Sequence, residues 1–344
     1  MKRHALRRSC VLFAGAVILV LFTTPATAKT WRFTYSVFFP ASHGQAQAAD
    51  AWAKEVSKKS GGRIKITVFP GGTLTNAKNC YDGVTGGISD IGMSVFAYNR
   101  GRFPVMEACD LPMGYPDGLT ASRVVNAYHQ ATAPKELEKV KVLYLHAHGP
   151  GLLHTKKPVA SVADLKGMKI RSTGLSAKVV KALGAVPVAM PQGSTYEALQ
   201  KGVVEGTFGP VEVLKGWRQA EVISSTTLCG AVGYTTTMYV VMNKRKWNAL
   251  PDDLKAVMEE TSARWVDVHG KAWDEQDTLG MNASLKRGNR TIPLSDDEGA
   301  AWKAAVRPVV TDYISRATKK GMDGAALVET LKRLLADQAQ ASGS

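Results

Sequence analysis

The chain alternates between two hydrophobic periods. TWRFTYSVF reads as a strand, and after the loop FPASHG the residues Ala48, Trp52 and Val56 recur at helical spacing until Gly61-Gly62 ends the run. RIKITVF then places Ile64, Ile66 and Val68 at every second position, a helical stretch covers about Asn76 to Thr85, and ISDIGMSVF forms a third strand. Strand, helix, strand, helix, strand is the sequence form of a doubly wound sheet.

A second block repeats the pattern. A helix around SRVVNAYHQA and a strand VKVLYLHAH, residues 140–148, reach the break Gly149-Pro150-Gly151. Beyond it come LLHTKKPV and GMKIRST, in which Met168 and Ile170 alternate with polar or small neighbours. Val179, Val180 and Leu183 follow at helical spacing, and Gly184 stops that helix. AVPVAM is the next strand, Ser194-Thr195-Tyr196-Glu197 has the form of a capping box, VVEGTF is a short strand, and a helix containing Trp217 closes the block. TTTMYVVMN, residues 235–243, reads as an apolar strand with no ligand-like chemistry, and Leu250-Pro251-Asp252-Asp253 opens a helical pattern reaching about residue 287. A helix that long far exceeds the usual globular length, so it must cross between the blocks or lie along both. Two more amphipathic helices run from SDDEGAAW, and QAQASGS reads as a frayed tail.

The first 28 residues stand apart. Lys2, Arg3, Arg7 and Arg8 precede the apolar run VLFAGAVILVLF, and Ala26-Thr27-Ala28 supplies a small-x-small site, which together predict a cleaved secretory signal peptide. Arg7-Arg8 leaves twin-arginine export open beside the general route. Cleavage takes four cations from 44 and leaves 40 against 29 acids, a net charge of +11. The cations are spread without aromatic interleaving, so the charge favours anionic small molecules over nucleic acid. Of the three remaining cysteines, Cys80 and Cys109 are the expected pair if a disulfide forms, the alternative being three buried thiols.

Enzyme motifs are absent: there is no G-x-S-x-G elbow, no H-E-x-x-H, no Walker loop and no G-x-G-x-x-G after a strand. FPGGTL either turns the chain or cradles an anion. His146, His148 and His154 lack a neighbouring carboxylate or cysteine to complete a metal site, although one or two of them can line a cleft at a strand end. Trp52, Trp265 and Trp273 fall on helical patterns and read as core. Arg171 is the sharpest candidate. It sits at the carboxyl end of a strand, where open α/β sheets bind ligands, and its planar fork matches a carboxylate or phosphate; a surface ion pair is the alternative.

The order VADLKGMKIR, LGAVPVAMP and STYEALQKGVVEG resembles the solute-binding proteins of tripartite ATP-independent periplasmic (TRAP) transporters, the DctP family, with FPGGTL, GGISDIG and WNALPDDLKAVMEE as further similar segments. The resemblance covers nearly all of residues 29–335. It implies a two-domain α/β periplasmic binding protein closing like a hinged trap, with a long helix spanning both domains. The expected domains are residues 29–148 with about 238–279, and 149–237 with about 280–340. It further implies capture of a small organic acid and delivery to a membrane permease, by a periplasmic monomer that uses no cofactor or metal and binds no nucleic acid. Arg171 matches the family's carboxylate-binding arginine. Sialate-binding members carry a second arginine where this chain reads Gly149-Pro150-Gly151, and an asparagine before the proline where it reads Thr207-Phe208-Gly209-Pro210. Those departures favour a carboxylate with a less polar body. The candidate contacts are Arg171, Thr173, Phe208, Gly209, Pro210, Phe39, Phe96, Tyr98, His148 and Gly151. An exported α/β enzyme using the same cleft is the alternative function.

Protein recovered from the periplasm should have the intact mass of a chain beginning at Lys29; a product still carrying residues 1–28 contradicts the cleavage.

Overall fold

The computed structural model describes residues 29–343, so the expected signal peptide lies outside the described residues. The chain runs β1 (Trp31–Val37), α1 (Gly44–Lys59), β2 (Ile64–Phe69), α2 (Cys80–Gly86), β3 (Ile91–Val95), α3 (Gly118–Thr132) and β4 (Val140–Ala147). It continues β5 (Leu152–Thr155), β6 (Lys169–Ser172), α4 (Ser176–Ala182), β7 (Val186–Ala189), α5 (Thr195–Gln200), β8 (Gly206–Gly209), α6 (Val213–Gly216) and β9 (Ser225–Leu228). Last come β10 (Thr237–Asn243), α7 (Lys244–Asn248), α8 (Asp252–Lys286), β11 (Arg290–Pro293), α9 (Asp296–Lys319) and α10 (Gly324–Gly343).

These strands build two sheets. The first has the order β2-β1-β3-β10-β4, with β1 parallel to β2 and β3, and β10 antiparallel to both β3 and β4. The second has the order β11-β9-β5-β8-β6-β7, mixing parallel and antiparallel pairs. All seven residues of β10 are buried, which is why its centre, Met238 to Met242, is apolar on both faces and does not alternate.

The chain passes between the sheets three times: from β4 to β5 through Gly149-Pro150-Gly151, from β9 to β10, and along α8. With 35 residues, α8 is about 50 Å long. It packs on α1, α3 and β4 of the first lobe and on α6 of the second. Gly280 permits the second contact, since a Cβ there would lie 2.4 Å from the Val211 carbonyl oxygen. At the C-terminus α9 packs on α4, while α10 packs on α3 and α9. The stretch read as a frayed tail continues α10 to Gly343.

Two local expectations change. Ser194 does not close a capping box, because it ends a 3-10 turn in helical geometry (φ −92°, ψ −5°), whereas a cap needs extended backbone to turn its hydroxyl to the helix amides. The Cys80–Cys109 disulfide is also corrected: both are free, as is Cys229. Cys80 opens α2 beside Thr75 and Tyr239, whereas Cys109 sits in the turn Met106–Asp110 near Tyr115 and Tyr128. Burial disfavours their thiolates, pushing Cys80 up to about 11 and Cys229 up to about 12.

Native protein should therefore resist alkylation at Cys80, Cys109 and Cys229, and all three should react on unfolding without reductant. Recovery of a Cys80–Cys109 peptide pair overturns the free-thiol assignment.

Candidate functional site

Carboxyl ends of strands from both sheets converge on one cleft, as expected for ligand sites in open α/β folds. Phe38 and Phe39 follow β1, Tyr98 lies beyond β3, and His148 follows β4. From the facing lobe come Arg171 and Thr173 at the end of β6, and Phe208, Gly209 and Pro210 at the end of β8. The cleft holds about 420 Å³ of atom-free space, part of it open to solvent. The lobes already touch across it: the Gln192 amide donates to the Tyr98 hydroxyl at 3.1 Å, and the rings of Phe38 and Trp217 stack at 6.2 Å.

Arg171 is 4% exposed, and no carboxylate among the described residues pairs with it. Its Nε and Nη2 donate to the Met190 carbonyl at 3.1 and 3.0 Å. One edge of the guanidinium is thus spent on orientation, and no hydrogen bond from Nη1 joins it to a described residue. Two neighbours register this charge. Burial raises the Tyr98 phenol while Arg171 partly opposes that rise, and burial lowers His148 to about 4 with Arg171 lowering it further. His148 Nδ1 donates to the Gly149 carbonyl at 2.5 Å, so the ring is neutral with its Nε2 lone pair free of that proton.

Eight of the ten sequence candidates line the cleft: Arg171, Thr173, Phe208, Gly209, Pro210, Phe39, Tyr98 and His148. The other two do not. Phe96 packs against Phe103 and Tyr239 at ring distances of 4.9 and 5.0 Å, inside the core. Gly151 serves a packing role, because a Cβ there would lie 2.0 Å from the Tyr234 ring, and that ring stacks on Phe208 at 4.9 Å.

Sequence reasoning missed Phe38, Gln192, Glu212, Trp217, Tyr234 and Trp273, all of which line the cleft. Phe38 and Gln192 carried a usable signal, being next to predicted strand ends. Trp217 follows a four-residue helix and Tyr234 lies on a crossing segment, where periodicity is silent. Trp273 reads as core and is 1% exposed, yet it forms the floor of the cleft and its Nε1 donates to His146 Nδ1 at 3.0 Å. His154 supports the site from behind: its Nε2 donates to the carbonyls of Gly209 and Pro210 at 3.3 Å while Nδ1 accepts from Thr226.

A second, half-buried polar group lies where the segments cross. Asp277, on α8, accepts the Glu212 amide at 2.7 Å, and Glu212 Oε2 meets His43 Nε2 at 2.7 Å. Burial, followed in weight by the opposing amide bond and then the neighbouring Glu212, pushes the Asp277 carboxyl up to about 8.

A two-lobed α/β fold with an unpaired guanidinium at the bottom of an interlobe cleft defines a hinged solute-binding protein. Residues 35–316 match the bacterial extracellular solute-binding proteins, family 7 (DctP), and the chain belongs to that family, the periplasmic solute-binding proteins of TRAP transporters. A TRAP solute-binding protein of Desulfovibrio salexigens, solved as an open complex with a symmetry mate's C-terminus in its ligand site, is 35% identical, with TM-score 0.79, covering 89% of this chain and 96% of that one. One from Rhodoferax ferrireducens, in complex with copurified benzoate, is 30% identical with TM-score 0.87, covering 91% and 100%. A marine-metagenome TRAP protein specific for aromatic acids, in complex with 3-hydroxybenzoate, is 32% identical with TM-score 0.86, covering 90% and 99%. The family binds small organic acids and is not enzymatic, and no helix of the described residues is long and apolar enough to cross a membrane.

The raised Asp277 sets a pH dependence. Between its unfolded value of 3.8 and about 8 the folded chain holds a proton that the unfolded chain has released, so this group's contribution falls as pH rises through that window. Asp277→Asn, which keeps the amide acceptor, should raise Tm relative to the parent more at pH 8.5 than at pH 5. Equal shifts at both pH values would show that Asp277 is not held protonated.

Proposed function

We propose that this chain captures a small aromatic monocarboxylate between its lobes and presents it, as an exported monomer, to a TRAP-type permease. The observation that carries this reading is a nearly inaccessible Arg171 with no anionic partner, set among aromatic side chains. A buried charge without a partner costs several kcal/mol or more, so the closed cleft calls for an anion at that point. The walls then specify what the anion is attached to. Phe38, Tyr98 and Trp217 crowd one side, with Phe38 edge-on to Tyr98 at 5.8 Å, while Phe208 and Tyr234 stack on the other. Offset and edge-on ring contacts contribute about 0.5–1.5 kcal/mol each beyond area burial, which favours a flat ring over a polyhydroxylated body. Benzoate in the Rhodoferax ferrireducens relative and 3-hydroxybenzoate in the metagenomic one support the same class.

The lobes in this reading are residues 29–148 with about 238–279, and 149–237 with about 280–340, α10 lying back across α3. Ligand binding favours the closed arrangement because Arg171 and the aromatic walls from the two lobes touch one molecule together only there.

Calorimetric titration with benzoate tests the anchor. Arg171→Lys keeps the charge and loses the fork; with charge-assisted hydrogen bonds contributing roughly 1.5–3 kcal/mol each, binding should weaken about 10-fold to 100-fold. Arg171→Ala should bind more weakly still. Unliganded melts within a few degrees of the parent show that the loss is at the ligand. Parent-like binding by Arg171→Lys removes Arg171 from the site.

A further inference from the structure

The cleft holds a second charged head besides Arg171. Glu212 follows β8, lines the cleft and is 2% exposed. Its position is set three ways. The backbone amide is anchored on Asp277, Oε2 meets His43 at 2.7 Å, and the His43 ring is wedged against Phe39, Trp217 and Trp273 at 4.4, 5.7 and 6.1 Å.

The hydrogen-bond pattern fixes the direction of the His43–Glu212 contact. His43 caps α1, and its Nδ1 accepts the Gln45 amide proton at 3.2 Å. A ring nitrogen that accepts carries no proton, so the ring's single proton is on Nε2 and is donated to Glu212 Oε2. Glu212 is therefore the acceptor, and its Oε1 receives no hydrogen bond from any described residue. No ion pair joins Glu212 to Arg171 either, so each head remains available to a ligand.

We propose that Glu212, oriented by His43, is a specificity-determining residue that accepts a hydrogen bond from a hydroxyl on the ring of the bound acid and repels a second carboxylate. The proposal rests on the aromatic-acid reading above. Arg171 takes the acid's anionic end, and Glu212 asks for a donor elsewhere on the same molecule. A carboxylate offers acceptors alone at neutral pH, so a dicarboxylate would bring two anions together in a nearly dry cleft. An unsubstituted ring satisfies Arg171 but leaves Oε1 without a partner in the closed state.

The test is calorimetric titration of the chain beginning at Lys29 with benzoate, 3-hydroxybenzoate, 4-hydroxybenzoate and isophthalate. At least one hydroxybenzoate should bind about tenfold more tightly than benzoate, and isophthalate more weakly than benzoate. Glu212→Gln should reduce the preference for a hydroxybenzoate over benzoate to less than about threefold and narrow the gap between isophthalate and benzoate. His43→Gln should erode the preference in the same direction, since it disturbs the orientation of Glu212. The proposal is overturned if no hydroxybenzoate outbinds benzoate in the parent, a result that needs no variant to fold, or if Glu212→Gln keeps the parent's preference. Benzoate binding without a hydroxyl preference sinks this inference alone. Failure of all four acids to bind sinks the aromatic-acid reading as well.

Discussion

A guanidinium held out of water without a counter-charge is the constraint on which this structure turns. Arg171 is fixed by its own strand and by the Met190 carbonyl, so it cannot swing out to solvent to relieve the cost of burial. Neutral dipoles surround it: the Tyr98 hydroxyl, a His148 ring kept uncharged by burial, and the Thr173 segment. None supplies an anion. In the proposed reading an external carboxylate lowers the cost of the closed cleft, which would couple occupancy to closure without any contact dedicated to signalling. A neutral His148 suits the proposed site, since a protonated imidazole there would compete with Arg171 for the ligand's carboxylate.

The topology makes that coupling mechanical. The first sheet cannot be finished by the first half of the chain, since β10 must return from the second lobe to fill the place between β3 and β4. The second sheet likewise waits for β11, which arrives at the end of α8. Each lobe thus depends on chain that has already visited the other, and the two are tethered by three crossings; in the proposed reading, small dihedral changes near Gly149-Pro150-Gly151 and in the β9–β10 connection would carry the closure. The cleft lies beside these crossings because parallel strands that share a direction end together, and their loops carry Phe38, Tyr98, Arg171 and Phe208 to one place.

Periodicity revealed what depends on one chain segment. Arg171 was legible because two patterns meet on it, a strand of period two ending where a helix of period 3.6 begins. The long helix was legible from its length, and β10 from the unbroken apolar run Met238 to Met242. What failed were features that depend on residues distant in sequence. The parity of a strand does not continue past its end: a 3-10 turn over Phe96–Tyr98 sends Phe96 inward to Tyr239 and Tyr98 out to the cleft, so treating the two alike placed one of them wrongly. Cys80 and Cys109 were the expected pair because any other pairing crosses the expected domain boundary, yet they sit among different neighbours. Gly151 resembled a ligand position and proved to be the space that Tyr234 requires. Glu212 carried no signal, since its importance comes from His43, 169 positions away in the chain.

The polar groups around the cleft share a pattern that hydrophobic arguments alone would not produce. His146, His148, His154 and His269 are all buried, and burial lowers each, His148 and His154 to about 4 and His269 to about 3. They act as neutral dipoles. Tyr144 meets His269, His269 meets Gln45, Trp273 donates to His146, and His154 holds the Gly209 and Pro210 carbonyls. Such a network fixes aromatic rings at defined angles without adding charge to the cleft, whereas an apolar packing of the same volume would let them slide. Among the described residues that line the cleft, Arg171 and Glu212 are the base and the acid set beside these neutral rings. In the proposed reading, one donor fork, one acceptor and flat walls between them would discriminate among acids of similar size by where their polar atoms lie.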